Sequence, residues 1–302
     1  GQHKWVMSFD LNSLYPHLIM QYNISPETMI GQRFPEAISV DLLLKQEVNT
    51  DVLGDKLTVT PNNACFRKDI SGFLPELMDK MYDDRVKFKK YALDASRRYE
   101  ETKDKKYLKE ISKYNNIQMA RKIALNSAYG AIGNQYFRYY NEKMATAITT
   151  SGQLSIRWIE NKVNDYLNGI LQTTDEDYII ASDTDSIYVT FDELVRKSFG
   201  ERTDVSTERV INFLDKIAKE KMEPYINNCY EELAEYVKAY AQRMEMSREV
   251  IADKGIWTAK KRYILNVHDS EGVRYAEPKL KIMGIEAVKS STPGPCRDMI
   301  KS

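Results

Sequence analysis

"DYIIASDTDSIYVTF", residues 177–191, sets two aspartates either side of one threonine between two apolar runs. Runs rich in β-branched and aromatic residues around a short polar break predict two strands of a tight hairpin. Alternate residues of a strand face the same way, so Asp183 and Asp185 point together unless the turn falls between them. Two carboxylates side by side resist ionising together unless positive charge is supplied. A divalent metal is the economical supply, and hard oxygen donors with room for water and phosphate suit Mg²⁺. Aspartate is also common in tight turns for local reasons. The stretch therefore predicts a hairpin, and metal binding needs support from elsewhere in the chain.

That support begins at "VMSFDLNSLYP", residues 6–16, where an apolar run delivers Asp10 to a strand end. Leu11, Ser13 and Leu14 then open a turn and a helix whose backbone N–H groups can receive an anion such as a triphosphate. Tyr15 places a large planar side chain nearby, although Leu14 and Tyr15 are equally at home in a core. In "RKIALNSAYG", residues 121–130, Lys122, Asn126 and Tyr129 stand at i, i+4 and i+7 of a helix. One helix face thus carries a cation, an amide and an aromatic ring, in an order that matches phosphate, sugar and base. Arg85 and Lys89, four apart on the preceding helix, add positive charge. Either basic pair alone is explained as a solvated face; the joint pattern points to a nucleotide.

The chain has 302 residues, 42% of them hydrophobic, enough for a sizeable core in one or two domains. Apolar stretches such as "DLLL" and "YIIA" fall far short of the ~20 residues of a membrane span. Cys65, Cys229 and Cys296 are odd in number and form no CxxC pair, which suggests neither a disulfide framework nor a zinc site and fits a reducing, cytoplasmic compartment. Lys and Arg (44) balance Asp and Glu (44), but not locally. Residues 76–122 hold 14 basic and 9 acidic side chains, residues 254–301 hold 10 and 5, and residues 164–245 hold 9 and 18. Such segregation suits a protein that grips phosphate at some surfaces and gathers carboxylates at another.

Prolines and glycines break residues 24–72 into short strands and loops. From Pro75, Leu77, Met81, Val86, Phe88 and Leu93 recur near helical spacing, a charged turn "KDKK" follows, and a second helix runs to Gly130 as its stop. A third helix spans about 143–168; Val205 to about Tyr240 is helical, bent or divided at Pro224; "RYILNV" and "VRYAEPKL" are strands joined by "HDSEG".

"DLNSLYP", "KIALNSAYG" and "SDTDSIYV", in that order, resemble motifs A, B and C of family B DNA polymerases, and "TAKKRYILNV" resembles that family's KKRY element. "NISPET", "ATAITTSGQLSIRWIENKVNDYLN" and "RYAEPKLKIMGIEAVKSSTP" are similar to the replicative polymerases of T-even-like bacteriophages, so the likeness covers nearly the whole chain. The resemblance implies an α+β fold: a polymerase palm with an antiparallel sheet and packed helices, plus a projecting antiparallel two-helix fingers subdomain. Residues 1–74 and 131–302 would form the palm and 75–130 the fingers, shorter than in the T-even enzymes. The exonuclease domain would be missing before Gly1, and with it proofreading; the thumb would begin beyond Ser302.

By the same resemblance, Asp10 and Asp185 would bind two Mg²⁺ ions, with Mn²⁺ as an alternative, aided by the backbone carbonyl of Leu11 and supported by Asp183. The N–H groups from Ser13 through Leu14 to Tyr15 would hold phosphate, with Tyr15 the gate against a 2′-hydroxyl. Arg85, Lys89 and Lys122 would neutralise the triphosphate, Lys122 protonating pyrophosphate and Asn126 supporting that face. Tyr129 and Gly130 would meet the minor groove of the nascent pair; Thr184, Lys260, Lys261 and Tyr263 would hold primer-template; Glu249 would lie near the centre. The implied partners are primer-template DNA, deoxynucleoside triphosphates and, in the full enzyme, a sliding clamp, for a monomeric fragment in the cytoplasm of an infected bacterium. The alternatives are a catalytically incomplete nucleotide and primer-template binding module, or a nucleotidyl cyclase; the Lys122 helix and the KKRY element argue against the cyclase. Ala181 and Ser182 stand where the phage enzymes have Tyr-Gly, and His17 stands where they have Ser. His3, His17 and His268 have no metal-ligand spacing and read as structural or surface residues.

Overall fold

Strand β1 (Gln2–Leu11) enters helix α1 (Leu14–Gln21) in the computed structural model of the chain, which describes residues 1–31, 34–200 and 205–301. The expected palm boundary at Ser302 lies outside the described residues. Strand β2 (Met29–Ile30), the short helix α2 (Val40–Leu44), a 3₁₀ turn (Thr50–Leu53) and strands β3 (Leu57–Val59) and β4 (Cys65–Arg67) follow. Three long helices come next: α3 (Phe73–Thr102), α4 (Lys106–Ile132) and α5 (Glu142–Leu171). The hairpin β5 (Ile179–Ser182) and β6 (Ser186–Thr190) precedes α6 (Asp192–Phe199), α7 (Thr207–Ile217) and α8 (Glu223–Tyr236). Strands β7 (Met246–Ala259), β8 (Arg262–Ser270) and β9 (Val273–Met283) and helix α9 (Gly294–Lys301) complete the chain.

The chain divides into two compact units. The first takes residues 1–10, 164–223 and 248–302 and is built on a six-stranded sheet of order β5-β6-β1-β7-β8-β9. The pairs β5/β6, β6/β1, β7/β8 and β8/β9 are antiparallel. Val6, Tyr188, Val250, Ala252, Tyr263, Leu265 and Val267 form a buried cluster on this sheet, with Trp257 and Tyr275 packed against it. The same unit holds an ion-pair group around the buried Arg248 and Asp269: Arg248 donates to Asp269 and to Asp215 (2.6 Å), and Arg274 to Asp269 (3.1 Å).

The second unit takes residues 11–163 and 224–247. It holds the small sheet β2-β4-β3 and a helical core around α1, of which seven residues are buried, as expected of a helix covered on all sides. Helix α1 packs against both α3 and α4. The pair α3/α4 is antiparallel: Tyr91 meets Tyr114 near the turn, and Asp84 pairs with Arg121 (2.5 Å) further from it. Side chains of residues 23–27 hold the start of α3: Asn23 accepts from the Gly72 N–H (2.9 Å), Ser25 from Leu74 and Glu27 from Phe73 (2.6 Å).

The antiparallel sheet, the helix pair and the hairpin agree with the sequence reading; several details differ. Helix α4 passes Gly130 and ends at Ile132, because burying Ile132 outweighs the roughly 1 kcal/mol cost of a helical glycine. On α3 the spacing marked Leu77 and Val86, yet both are exposed, while Met78, Ala92 and Ala95 are buried, the small alanines facing inward. Helix α5 runs past Gly169 to Leu171. Strands β8 and β9 absorb most of "HDSEG", leaving Glu271 and Gly272 as the turn. Within 24–72, the helical turns Val40–Leu44 and Thr50–Leu53 are additions to the strands and loops expected there. The long helix is divided as anticipated, by a π turn (Ala218–Met222) before Pro224, whose missing N–H cannot continue the helical ladder. Strand β7 went unread, because the inward Arg248 interrupts the apolar alternation that marks a strand.

Candidate active site

In the first unit the hairpin turn falls after Asp183: its N–H bonds the Ser186 carbonyl (2.9 Å), and the ladder resumes at Ser182 opposite Ile187. Strand β1 pairs with β6 in the register Phe9↔Ile187 and Asp10↔Ser186. Asp10 therefore lies across the ladder from the residue after Asp185, so the strand that carries Asp10 runs beside the hairpin that carries Asp183 and Asp185. Paired Cα atoms in such a ladder are about 5 Å apart. Both residues are half-buried.

Asp183 is engaged differently. Its carboxylate accepts from the Thr184 N–H (2.7 Å) and hydroxyl (3.2 Å) and meets the Lys261 ammonium at 3.2 Å. Burial works to raise this carboxyl, but the Thr184 N–H and the Lys261 cation outweigh it and hold it below its usual range. Lys260 and Lys261 form the two-residue turn joining β7 to β8, with Lys261 in the left-handed region (φ 62°). With Ala181, Ser182 and Trp257 they line a cleft of about 480 Å³. Tyr263, two residues past that turn, is buried, stacked on Trp257 (5.4 Å) and bonded through its hydroxyl to Tyr188 (2.7 Å).

Glu249 lies on β7 with both oxygens occupied: Ser8 donates to one (3.1 Å) and Lys281 to the other (2.7 Å). Ser8 is two residues before Asp10, hence on the same face of β1, and it is fully buried. Ser8 and Lys281 escaped the sequence reading. The i−2 spacing from Asp10 was the available signal for Ser8, whereas only the sheet brings Lys281 to Glu249.

Among the described residues no three His, Cys, Asp or Glu side chains group as a metal-ligand set. Asp10 and, one residue before its ladder partner Ser186, Asp185 supply carboxylates on the paired strands, and Leu11 follows Asp10 in the sequence of β1. Hard donors of this kind, few in number, fit Mg²⁺, which keeps several waters and binds phosphate alongside one or two carboxylates.

In the second unit the turn after β1 is the centre of interest. Ser13, the N-cap of α1, is left-handed (φ 45°, ψ 61°), which costs a non-glycine residue about 1–2 kcal/mol. Its side-chain oxygen accepts a bond from the Arg85 guanidinium on α3. Two residues on, the Tyr15 ring packs against Tyr129 of α4 with centroids 4.5 Å apart. The first turn of α1 thereby brings Ser13, Tyr15, Arg85 and Tyr129 together. Lys89 is one helical turn beyond Arg85; Lys122 and Asn126 are exposed on α4 in the turns leading to Tyr129. Leu14 is core, packing near Gly152 of α5. Gly130 has open space where a Cβ would sit, and Thr184 is exposed at the hairpin tip.

The chain matches the model of DNA polymerase family B over residues 2–301. It is 40% identical over 350 aligned positions to a DNA-directed DNA polymerase of Escherichia phage RB69, covering 100% of this chain and 38% of that protein. It is 38% identical to a DNA-directed DNA polymerase of Enterobacteria phage T4, covering 96% of this chain and 37% of that protein. DNA polymerase 1 of Pyrococcus abyssi is 27% identical over 96% of the chain and 28% of its own length. The chain thus spans under two fifths of the length of these relatives. The 350 positions exceed its 302 residues, so the RB69 protein carries residues within the matched span that have no counterpart here. A match along nearly every residue, added to an Asp10 strand paired antiparallel to the Asp183–Asp185 hairpin, means that this chain belongs to DNA polymerase family B.

Proposed function

We propose that the chain is a catalytic core of a template-directed DNA polymerase, comprising a palm (residues 1–74 and 131–302) and fingers (75–130), and that it adds deoxynucleotides to a primer 3′-hydroxyl. The observation that carries this reading is the register Asp10↔Ser186, which puts Asp10 beside the Asp185 hairpin in a family B chain. Two divalent ions held by Asp10, Asp185 and the Leu11 carbonyl would supply Lewis acidity, easing loss of the 3′-hydroxyl proton and offsetting the charge of the triphosphate.

The chain's own residues have separable tasks in the reaction, in which the primer 3′-oxygen bonds the α-phosphorus as the bond to pyrophosphate breaks. Asp183, tied to Thr184 and Lys261, holds the hairpin and the lysine turn together. The N–H groups from Ser13 to Tyr15 receive phosphate oxygens at the α1 N-terminus. Arg85, Lys89 and Lys122 offset triphosphate charge; Lys122 gives a proton to departing pyrophosphate, and Asn126 supports the same helix face. Tyr15, held against Tyr129, excludes a 2′-hydroxyl, and Tyr129 with Gly130 meets the nascent base pair. Lys260 and Lys261 bind primer phosphate without reading sequence, while Tyr263 props their turn. Glu249, closed off by Ser8 and Lys281, braces β1 next to Asp10.

In a longer polymerase the same core would act with a sliding clamp in the cytoplasm of an infected bacterium. No described helix is long and apolar enough to cross a membrane. The test is primer extension on primed DNA with Mg²⁺ at low salt, comparing the chain with Asp185→Asn. Extension by the wild type that vanishes in the variant supports the reading. Equal extension by both removes Asp185 from the chemistry, and binding of primer-template without extension favours a binding module.

A further inference from the structure

His17 is the side chain at the nucleotide turn that the transfer reading leaves without a task. It is 5% exposed, on the inner side of α1. Its Nδ1 lies 2.9 Å from the Ser13 carbonyl oxygen. A carbonyl only accepts, so Nδ1 carries the proton and donates. The same oxygen also accepts the His17 backbone N–H at 3.1 Å. Ser13 is therefore held at its carbonyl by two donors of one residue and at its hydroxyl by Arg85. On the other side, the His17 ring meets Tyr82 of α3 edge to face, with centroids 4.2 Å apart and planes at 87°. Burial, then the nearby Arg243 and Arg85, work against a second proton on the imidazole and outweigh the Ser13 bond, which favours one, so the ring is a neutral donor.

We propose that His17 is a positioning residue for the incoming nucleotide: by donating to the Ser13 carbonyl it locks the left-handed turn, aims the N–H groups of residues 13–15 outward, and presents the Ser13 hydroxyl to Arg85. The inference rests on the reading of this turn as a triphosphate site. Its chemical logic is that a left-handed serine relaxes readily, and a flipped peptide would turn carbonyl oxygen where an anion needs N–H. A buried imidazole spanning Ser13 and Tyr82 links the turn to α3 through one rigid ring, which a serine at this position is too short to do.

Donor and ring can be separated by substitution. His17→Asn keeps an N–H donor near the position of Nδ1 and discards the ring; His17→Phe keeps the ring against Tyr82 and discards the donor. KM and kcat for deoxythymidine triphosphate in primer extension, and Kd from titration of each protein with deoxythymidine triphosphate and Mg²⁺, are the measurements. The expected result is that His17→Phe raises KM and Kd about tenfold with kcat little changed, whereas His17→Asn stays within about twofold of wild type. Should His17→Phe fail to fold, His17→Leu removes the donor in its place. Wild-type values for the donorless variant, or an equal loss in both variants, would overturn the proposal and make His17 a packing residue only. A wild-type chain that neither extends a primer nor binds the triphosphate would instead overturn the reading of the site, and the proposal with it.

Discussion

Tyr15 shows how one side chain's role depends on its neighbour. Its ring rests on Tyr129 and cannot swing away without giving up that contact. On the proposed reading of Tyr15 as the gate, exclusion of a 2′-hydroxyl depends on a braced ring, and Tyr15→Ala is expected to raise ribonucleotide incorporation relative to deoxynucleotide by on the order of tenfold or more. Competition primer extension checks this, and an unchanged ratio would remove Tyr15 from the gate. The histidines repay the same attention. His3 and His268 fit the structural reading, His268 lying 3.2 Å from Asp253. His17 was legible as a departure from the family's motif but not as a donor, because its acceptor is a backbone oxygen, set by conformation and not by residue type.

At the scale of elements, two positions carry testable strain. Gly284 follows β9 at φ +65°, and a Cβ there would come 2.1 Å from the Lys261 carbonyl. Gly284→Ala is expected to cost about 2 kcal/mol and to displace the Lys260–Lys261 turn. Thermal unfolding should show a lowered Tm and titration a weaker affinity for primer-template; loss of either alone would mean that the turn and the glycine are not coupled. The second is Arg248 on β7. Truncation to Ala leaves Asp269, only 2% exposed, with its buried charge poorly compensated, at an expected cost of about 3 kcal/mol by denaturant unfolding. Within the same group, burial raises the Asp215 carboxyl, but Lys219 and Arg248 outweigh it and hold it below its usual value near 4. A carboxyl lowered in the folded state contributes stability that is present above the unfolded value and lost as pH falls through the folded one. Acid unfolding should accordingly steepen below about pH 4, and this part of the steepening should shrink in Arg248→Ala. The ion-pair group also explains why β7 was hidden in the sequence: an inward arginine looks like a surface residue until its partners, 21 and 33 residues away, are known.

For the whole molecule, charge is the clearest global signal. A chain with as many acids as bases resembles no obvious polyanion binder, yet its lysines and arginines concentrate in residues 76–122 and 254–301. Affinity for primer-template is expected to fall linearly in log Kd against log salt, and Lys260→Ala and Lys261→Ala should each lower that slope by about one. Fluorescence anisotropy across a salt series measures it; a slope untouched by both variants would move the primer contact elsewhere.

Local order in the sequence determined the hairpin around Asp183 and Asp185, the strand that carries Asp10, the existence of three long helices though not their ends, and the identity of the residues that mark the family. These follow from periodicity and turn chemistry, which act over a few residues and so can be read one segment at a time. Only the tertiary structure decided that Asp10 stands across from Ser186, that Glu249 is closed by Ser8 and Lys281, that Tyr263 bonds Tyr188, and that His17 grips Ser13. Three of these depend on which strands pair and in what register, a choice set by the burial of the whole sheet, and the fourth on a backbone oxygen that any residue would carry.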